Sequence, residues 1–295
     1  MGADAPNPFE SAPGQPQAAA PKPGMKRRWL FIVLALAFLF VLMPFLFWEA
    51  TWFGRPLDDA QMAKSLADTE HPREIQHGLS QIADRVLSPD ATRRDSAKQF
   101  YPQVIRIAQT GGDELRTTAA WLMGQDAASP EFEHALEALV GDSNPMVRRN
   151  AALALVRFHN TAGLNEIRAM LQPYSVPAAY TGKMLERLKP AEPINPGALL
   201  GWVQTDKAKE EMRSQVPGTI DHWLVADGTA VTAGQPVMSV TPSESEIWEA
   251  LRALYLVGQQ QDLPAIEQFE NGADDMPLEV RRQATTTAEA IRSRK

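Results

Sequence analysis

Two segments of this chain, "GDELRTTAAWLMG" from Gly112 and "SNPMVRRNAALALVRF" from Ser143, superpose at an offset of 32 residues. Leu115 falls on Val147, Arg116 on Arg148, and Ala119 and Ala120 on Ala151 and Ala152. A third copy, "DMPLEVRRQATTTAEAI" from Asp275, puts Val280, Arg281 and Ala284 in the corresponding places. A helical unit that recurs at a fixed period cannot bury its apolar face alone, so it stacks on its neighbours as a solenoid. From Leu57 to Gln172 the apolar residues recur at three- and four-residue spacing, and Gly, Pro, Asp or Asn interrupts them every 12–18 residues. This pattern predicts short antiparallel helices over 57–172. Pro145 suits a first helical turn, where its missing N–H has no partner to lose, and the Ala pairs let adjacent helices approach closely. A second helical part is expected over 243–292. In "SEIWEALRALYLVG", Ile247, Trp248, Leu251, Leu254, Tyr255 and Val257 recur at helical spacing, and "LPAIEQF" supplies a partner helix.

These segments resemble HEAT-type repeats, whose signature is a turn with Asp and Pro, then Val-Arg, then small residues on one helix face. "DSNPMVRRNAALALVRF" matches it and "GDELRTTAAWLMG" matches without the proline, whereas the segments around Pro72 and Ser245 match in spacing alone. The fixed place of Arg116, Arg148 and Arg281 in the repeat implies arginines that bond carbonyls or an acid in a neighbouring turn.

Composition matters most at the N-terminus. Residues 1–28 are rich in Pro, Ala and Gly, with almost no large apolar side chains, and read as a disordered cytoplasmic tail. From Trp29 to Trp48, "WLFIVLALAFLFVLMPFLFW" carries no charge, and at 1.5 Å per residue its length suggests a transmembrane helix over 29–48. Trp29, Trp48 and Trp52 would mark the interfaces. With Ala35 and Ala37 as its only small residues, the run reads as an anchor in the lipid bilayer. Lys26, Arg27 and Arg28 precede it, while Glu49, Asp58 and Asp59 bracket Arg55 after it. The positive-inside rule then puts the N-terminus in the cytoplasm and the C-terminal domains in the periplasm, as in a single-pass protein of a bacterial inner membrane. The net charge of −7 speaks against nucleic acid as a partner.

Between residues 174 and 242 the helical period gives way to short segments separated by Gly and Pro, a strand-and-turn signature. The insert repeats internally. "GKMLERLKPAEPINPGALLGWV" from Gly182 and "GTIDHWLVADGTAVTAGQPVMSV" from Gly218 align Met184 with Ile220, Leu188 with Leu224, Ile194 with Val231, Gly197 with Gly234 and Val203 with Val240. Two similar halves suggest a pseudo-twofold β unit.

The second half resembles the biotinyl/lipoyl-like barrel-sandwich fold in its spacing of Gly218, Gly228, Val231 and Gly234, followed by Gln235-Pro236. The resemblance implies a small flattened barrel whose turns use Gly218, Gly228 and Gly234. That fold serves lipoyl carriers, biotin carriers and periplasmic adaptor (membrane fusion) proteins that bear no cofactor. Lys207 in "TDKA" lies eleven residues before Gly218, as a lipoyl lysine does, and lacks the flanking Met residues of a biotin site. Against that stand Gln204 in place of the usual Glu, and "KAKEEMRSQ", whose charges suggest a solvated hairpin tip rather than a returning strand. The expected periplasmic location also separates Lys207 from cytosolic lipoylating enzymes.

The five histidines, His71, His77, His134, His159 and His222, form no HExxH pattern, and the chain has no P-loop, GxSxG or dinucleotide fingerprint. The whole is mainly α with a β insert: an N-terminal transmembrane helix, a HEAT-like α-solenoid and a lipoyl-like barrel-sandwich hybrid. The expected role is a non-enzymatic, membrane-anchored scaffold or adaptor with protein partners in a membrane complex and no cofactor or metal. The alternative is a lipoyl carrier using Lys207.

Overall fold

The computed structural model describes the backbone of residues 27–50, 56–271 and 276–294. The chain divides into two compact units between Pro56 and Leu57.

Among its described residues the first unit contains one helix, α1 (Arg27–Ala50), with Pro44 inside it. Among the described residues no helix is long and apolar enough to cross a membrane. This corrects the expected transmembrane helix at 29–48. It also removes the inner-membrane placement with a cytoplasmic N-terminus and periplasmic domains, because the positive-inside rule orients a span and says nothing without one. The expected tail up to residue 26, the side chain of Trp48, and Trp52 lie outside the described residues.

The second unit begins with eight helices: α2 (Asp59–Ala67), α3 (Pro72–Val86), α4 (Ala91–Ala97), α5 (Tyr101–Thr110), α6 (Asp113–Met123), α7 (Pro130–Leu139), α8 (Pro145–Val156) and α9 (Leu164–Ala169). Local chemistry sets their starts. Asp58 accepts from the Gln61 N–H while the Gln61 side chain returns to Asp58, closing a capping box. Ser129 and Asn144 cap α7 and α8, each followed by a proline at the first helical position. Small residues permit close packing, as expected: a Cβ on Gly163 would lie 2.6 Å from Ala152, and one on Gly124 would lie 2.7 Å from the Ala154 methyl.

The chain then forms eight strands: β1 (Tyr174–Pro177), β2 (Gly182–Glu186), β3 (Pro193–Ile194), β4 (Leu199–Gln204), β5 (Lys209–Arg213), β6 (Gly218–Trp223), β7 (Ala230–Val231) and β8 (Pro236–Thr241). It closes with α10 (Glu244–Val257), α11 (Leu263–Asn271) and α12 (Leu278–Ser293). Residues 276–277 precede α12, and Asp274 and Asp275 lie outside the described residues.

Helices on either side of the strands belong to one frame. α6 packs on α8, α8 on α10, and α10 on α12. One helical core runs from Leu57 to Leu155, and a second joins Ala152, Val156, Ile167 and Leu171 to Ile247, Leu254, Ala284 and Ile291. The strands have a core of their own around Met184, Val203, Ile220 and Val240.

The strands form two four-stranded antiparallel sheets, ordered β1-β8-β6-β3 and β5-β4-β2-β7. Advancing each strand of the first sheet by four places around the cycle of eight produces the second. Side chains follow the same relation. Met184 and Ile220, Ile194 and Val231, and Val203 and Val240 are all buried, and Gly197 and Gly234 adopt φ values of 83° and 84°. One pair departs from it: Leu188 packs against the β core, while Leu224 is exposed.

Candidate functional site

Lys207 sits at the tip of the β4–β5 hairpin, where Gln204 pairs with Lys209, Val203 with Glu210 and Trp202 with Glu211. Thr205 closes the connecting turn. Its backbone N–H donates to the Ala208 carbonyl at 2.9 Å, and its hydroxyl donates to the same oxygen at 2.9 Å. The hydroxyl oxygen accepts the N–H of Lys207 at 3.2 Å and that of Ala208 at 3.0 Å. Such side-chain bonds hold a short turn in one conformation. Gln204 adds to them, its amide N–H donating to the carbonyls of Thr205 and Ala208. A carboxylate in its place could not donate. The Lys207 side chain is exposed, and no hydrogen bond or ion pair of that side chain is found among the described residues.

The run Lys209–Arg213 is an edge strand paired with β4, not a solvated tip, which corrects the sequence expectation. Three of its four charges have a local partner. The Lys209 ammonium lies 3.8 Å from the centre of the Trp202 ring, and Arg213 pairs with Glu211 at 2.6 Å and donates to the Gly197 carbonyl. Met212 alone turns inward, 2% exposed. One buried side chain and charges on the outer face suit an edge strand, where they also discourage pairing with another chain.

The glycines fall where side chains do not fit. A Cβ on Gly218 would meet the Thr241 carbonyl at 2.3 Å, with φ at 151°. Its counterpart Gly182 stands against the Gln204 carbonyl at the same 2.3 Å, so the two half-barrels share one close approach. Gly228 has φ of 77° beside the Lys183 side chain, and Gly234 has φ of 84° in an open turn.

The pole of the domain related to the hairpin turn by the four-strand shift is where the strands meet the helices. Arg149 of α8, 3% exposed, bonds there to Glu246 of α10, itself 6% exposed. The same guanidinium lies 3.6 Å from Glu166 of α9 and 5.7 Å from the centre of the Tyr174 ring at the start of β1. Burial raises the Glu246 carboxyl above its usual range, and the Arg149 charge works against that shift. Sequence reading missed this cluster because its two principal members stand 97 positions apart. Ser243 was readable as a helix start, and it does form a capping box with Glu246.

The repeat arginines lie along the frame. Arg116 reaches forward to Asp142 at 2.8 Å and back to the Gly111 carbonyl at 2.9 Å. Arg148 bonds Glu166 at 2.9 Å and the carbonyls of Asp142 and Ser143. Burial pushes the Asp142 carboxyl up, but hydrogen bonds from Arg116 and the Asn144 N–H outweigh it and hold the carboxyl below its ordinary value. Arg281 lies in α12 without an ion pair among the described residues.

Asp68, His71 and Glu74 can bring one ligand atom each within 4.8 Å of one another, a cluster that sequence reading passed over. It is largely exposed, and the Asp68 carboxylate accepts from the backbone N–H groups of Glu70 and His71, which ties down the approach to α3.

The family model described as "Biotin-requiring enzyme" matches residues 175–240. This segment is a biotin/lipoyl-like domain. No curated protein matches the chain. The matched range is the eight-stranded unit almost end to end, so the half-barrel symmetry, the glycine contacts and the Lys207 hairpin all belong to this domain.

Proposed function

We propose that the chain is a non-catalytic adaptor that works by protein–protein contact, its HEAT-like helical frame holding the biotin/lipoyl-like domain at a fixed place for a partner protein. The observation that carries this reading is the clamped junction. Four residues separate α9 from β1 and two separate β8 from α10, and the buried Arg149–Glu246 pair bridges the helices on either side. A domain tethered so briefly at both ends is presented, not swung on a flexible arm. Support for HEAT-like repeats comes from the arginine ladder, in which Arg116 reaches an acid of the next copy's turn and Arg148 reaches an acid of the helix after it.

Lys207 favours a second reading, a lipoyl carrier. An exposed lysine on a locked turn suits amide attachment at Nζ, and the attached group would supply a redox-active dithiolane. The residues present fit that group: Thr205 and Gln204 fix the turn, and Asp206 and Ala208 flank the lysine where a biotin site would have Met. Intact mass of the protein purified from its own cells, with and without Lys207→Arg, separates the two. An adaptor has the unmodified mass and retains a co-purifying partner in the variant. A carrier shows a defined added mass that the variant lacks.

A further inference from the structure

The successive helices α6, α8, α10 and α12 frame a groove of about 870 Å³ on the frame. It exists only because the helices after the β domain resume packing on those before it. Its floor and walls leave large apolar groups open to solvent: Trp121 is 45% exposed, Tyr255 41% and Leu256 51%. Tyr255 is a difference from the sequence expectation, which counted it with the buried stripe of α10. Side chains of this size left open on one face ordinarily mark a binding surface.

The polar lining has a sign. Arg157 and Arg252 border the groove, and Glu249 is its one carboxylate. Arg252 is held in place by stacking on Trp248, 4.6 Å from the ring centre, and Arg157 donates to Gln125 at 3.0 Å. Burial raises the Glu249 carboxyl, an effect that the Arg252 charge opposes. A groove with surplus positive charge on a chain of net charge −7 is a local reversal of sign. Two copies of so acidic a chain repel each other, which disfavours self-docking. Crossing four helices at 8–10 Å each gives a trough about 25–30 Å long, the length of a helical segment of about 16–20 residues.

We infer that this groove docks an amphipathic segment of a partner protein, with aliphatic or aromatic side chains against Trp121, Leu153, Tyr255 and Leu256 and carboxylates toward Arg157 and Arg252. This rests on the adaptor reading and names the partner's chemistry. Helix-in-groove recognition of this kind reads apolar anchors at i, i+3 or i+4, and i+7.

The test is a random peptide library displayed on phage and selected on the full chain. Selected peptides are then synthesised and measured against Leu256→Ser and against Arg157→Glu with Arg252→Glu. Expected are peptides combining helically spaced apolar anchors with Asp or Glu, at least tenfold weaker on Leu256→Ser. On the charge-reversed variant, acidic peptides should weaken tenfold or more while their Glu→Lys counterparts strengthen. Circular dichroism of each variant guards against loss of fold, and Leu256→Ser, being half exposed, should retain it. Basic peptides, or affinities indifferent to both variants, overturn the inference. So does sedimentation showing a dimer of this chain that Leu256→Ser abolishes. Peptides lost only when the β4–β5 hairpin is altered would sink the groove but leave the adaptor reading standing, and failure to select any peptide would count against both.

Discussion

The two poles of the β domain are related by the same four-strand shift, yet they are built for opposite ends. At one, the gap between β8 and β1 is filled by the helical frame, with Arg149 and Glu246 buried and Glu166 and Tyr174 half-buried beside them. At the other, the gap between β4 and β5 is a four-residue turn, closed by its own threonine and presenting Lys207 to solvent. The core residues and glycine contacts are nearly the same in both halves, so the strands do not make this difference. It comes from what the turn position connects. A symmetric domain inserted into an asymmetric frame becomes a device with a fixed root and a free tip.

Breaking the root should have the largest effect. Arg149→Met removes one partner of a buried pair and leaves Glu246 uncompensated, which should cost about 3–5 kcal/mol in urea unfolding at neutral pH. The sign of the pH dependence follows from Glu246. Its folded-state carboxyl lies above the unfolded value, so in that interval the folded state holds more protons than the unfolded state, and stability falls as pH rises through it. The variant should therefore recover stability toward acid pH, as Glu246 takes a proton. Arg149→Met with Glu246→Leu should restore most of the loss. A pH-independent deficit would show that the pair is not the clamp.

The contact shared by both halves comes next. Gly218→Val places side-chain atoms into the Thr241 carbonyl at a backbone conformation that favours glycine, and should cost about 3 kcal/mol. Gly182→Val meets the Gln204 carbonyl at the same 2.3 Å but without a positive φ, so it should cost the steric part alone, about 2 kcal/mol. A smaller midpoint shift at Gly182 than at Gly218 supports two energetically alike halves that differ in this one backbone angle, and a negligible shift at either site would break the comparison of the halves.

Asp142→Asn probes the frame by itself. Loss of the charged bond to the half-buried Arg116 should cost about 2 kcal/mol at pH 7. Because the folded carboxyl is held below its unfolded value, this contribution is fully present above the unfolded pKa and is lost as pH falls through the folded one. Wild type and variant should thus converge in acid because the wild type loses stability, whereas Arg149→Met converges because the variant gains it. Thermal melts at a series of pH values distinguish the two.

Sequence alone revealed the β domain in unusual detail, because its determinants are local: positive-φ glycines, alternating apolar residues and an internal repeat. The helices were readable for similar reasons, through turn signals such as Pro145 at a first helical turn. The root was not readable. Nothing in "VRRNAALAL" says which of Arg148 and Arg149 faces a carboxylate 97 positions on, since burial of Arg149 depends on how α10 returns after the insertion. The charged run at Lys209–Arg213 misled for a related reason: its partners, Trp202 and the Gly197 carbonyl, come from the neighbouring strand and its approach. The groove was hidden likewise, because helical spacing groups Tyr255 with the core, whereas packing of α10 between α8 and α12 leaves it at the surface.

The smallest effects should come from the tip. Thr205→Val removes the hydroxyl that accepts two N–H groups and donates to Ala208, and should cost about 1 kcal/mol with faster hydrogen exchange confined to the turn. Lys207→Arg retains the positive charge on an exposed side chain and should change stability by less than about 0.5 kcal/mol. Arginine cannot form the amide that a carrier requires. The two tip variants therefore ask different questions. If the tip works as a shaped contact surface, Thr205→Val weakens partner capture while Lys207→Arg leaves it nearly intact. If Lys207→Arg abolishes function with folding intact and the added mass lost, the lysine itself carries the chemistry, and the clamped root serves to aim a carrier instead of an adaptor.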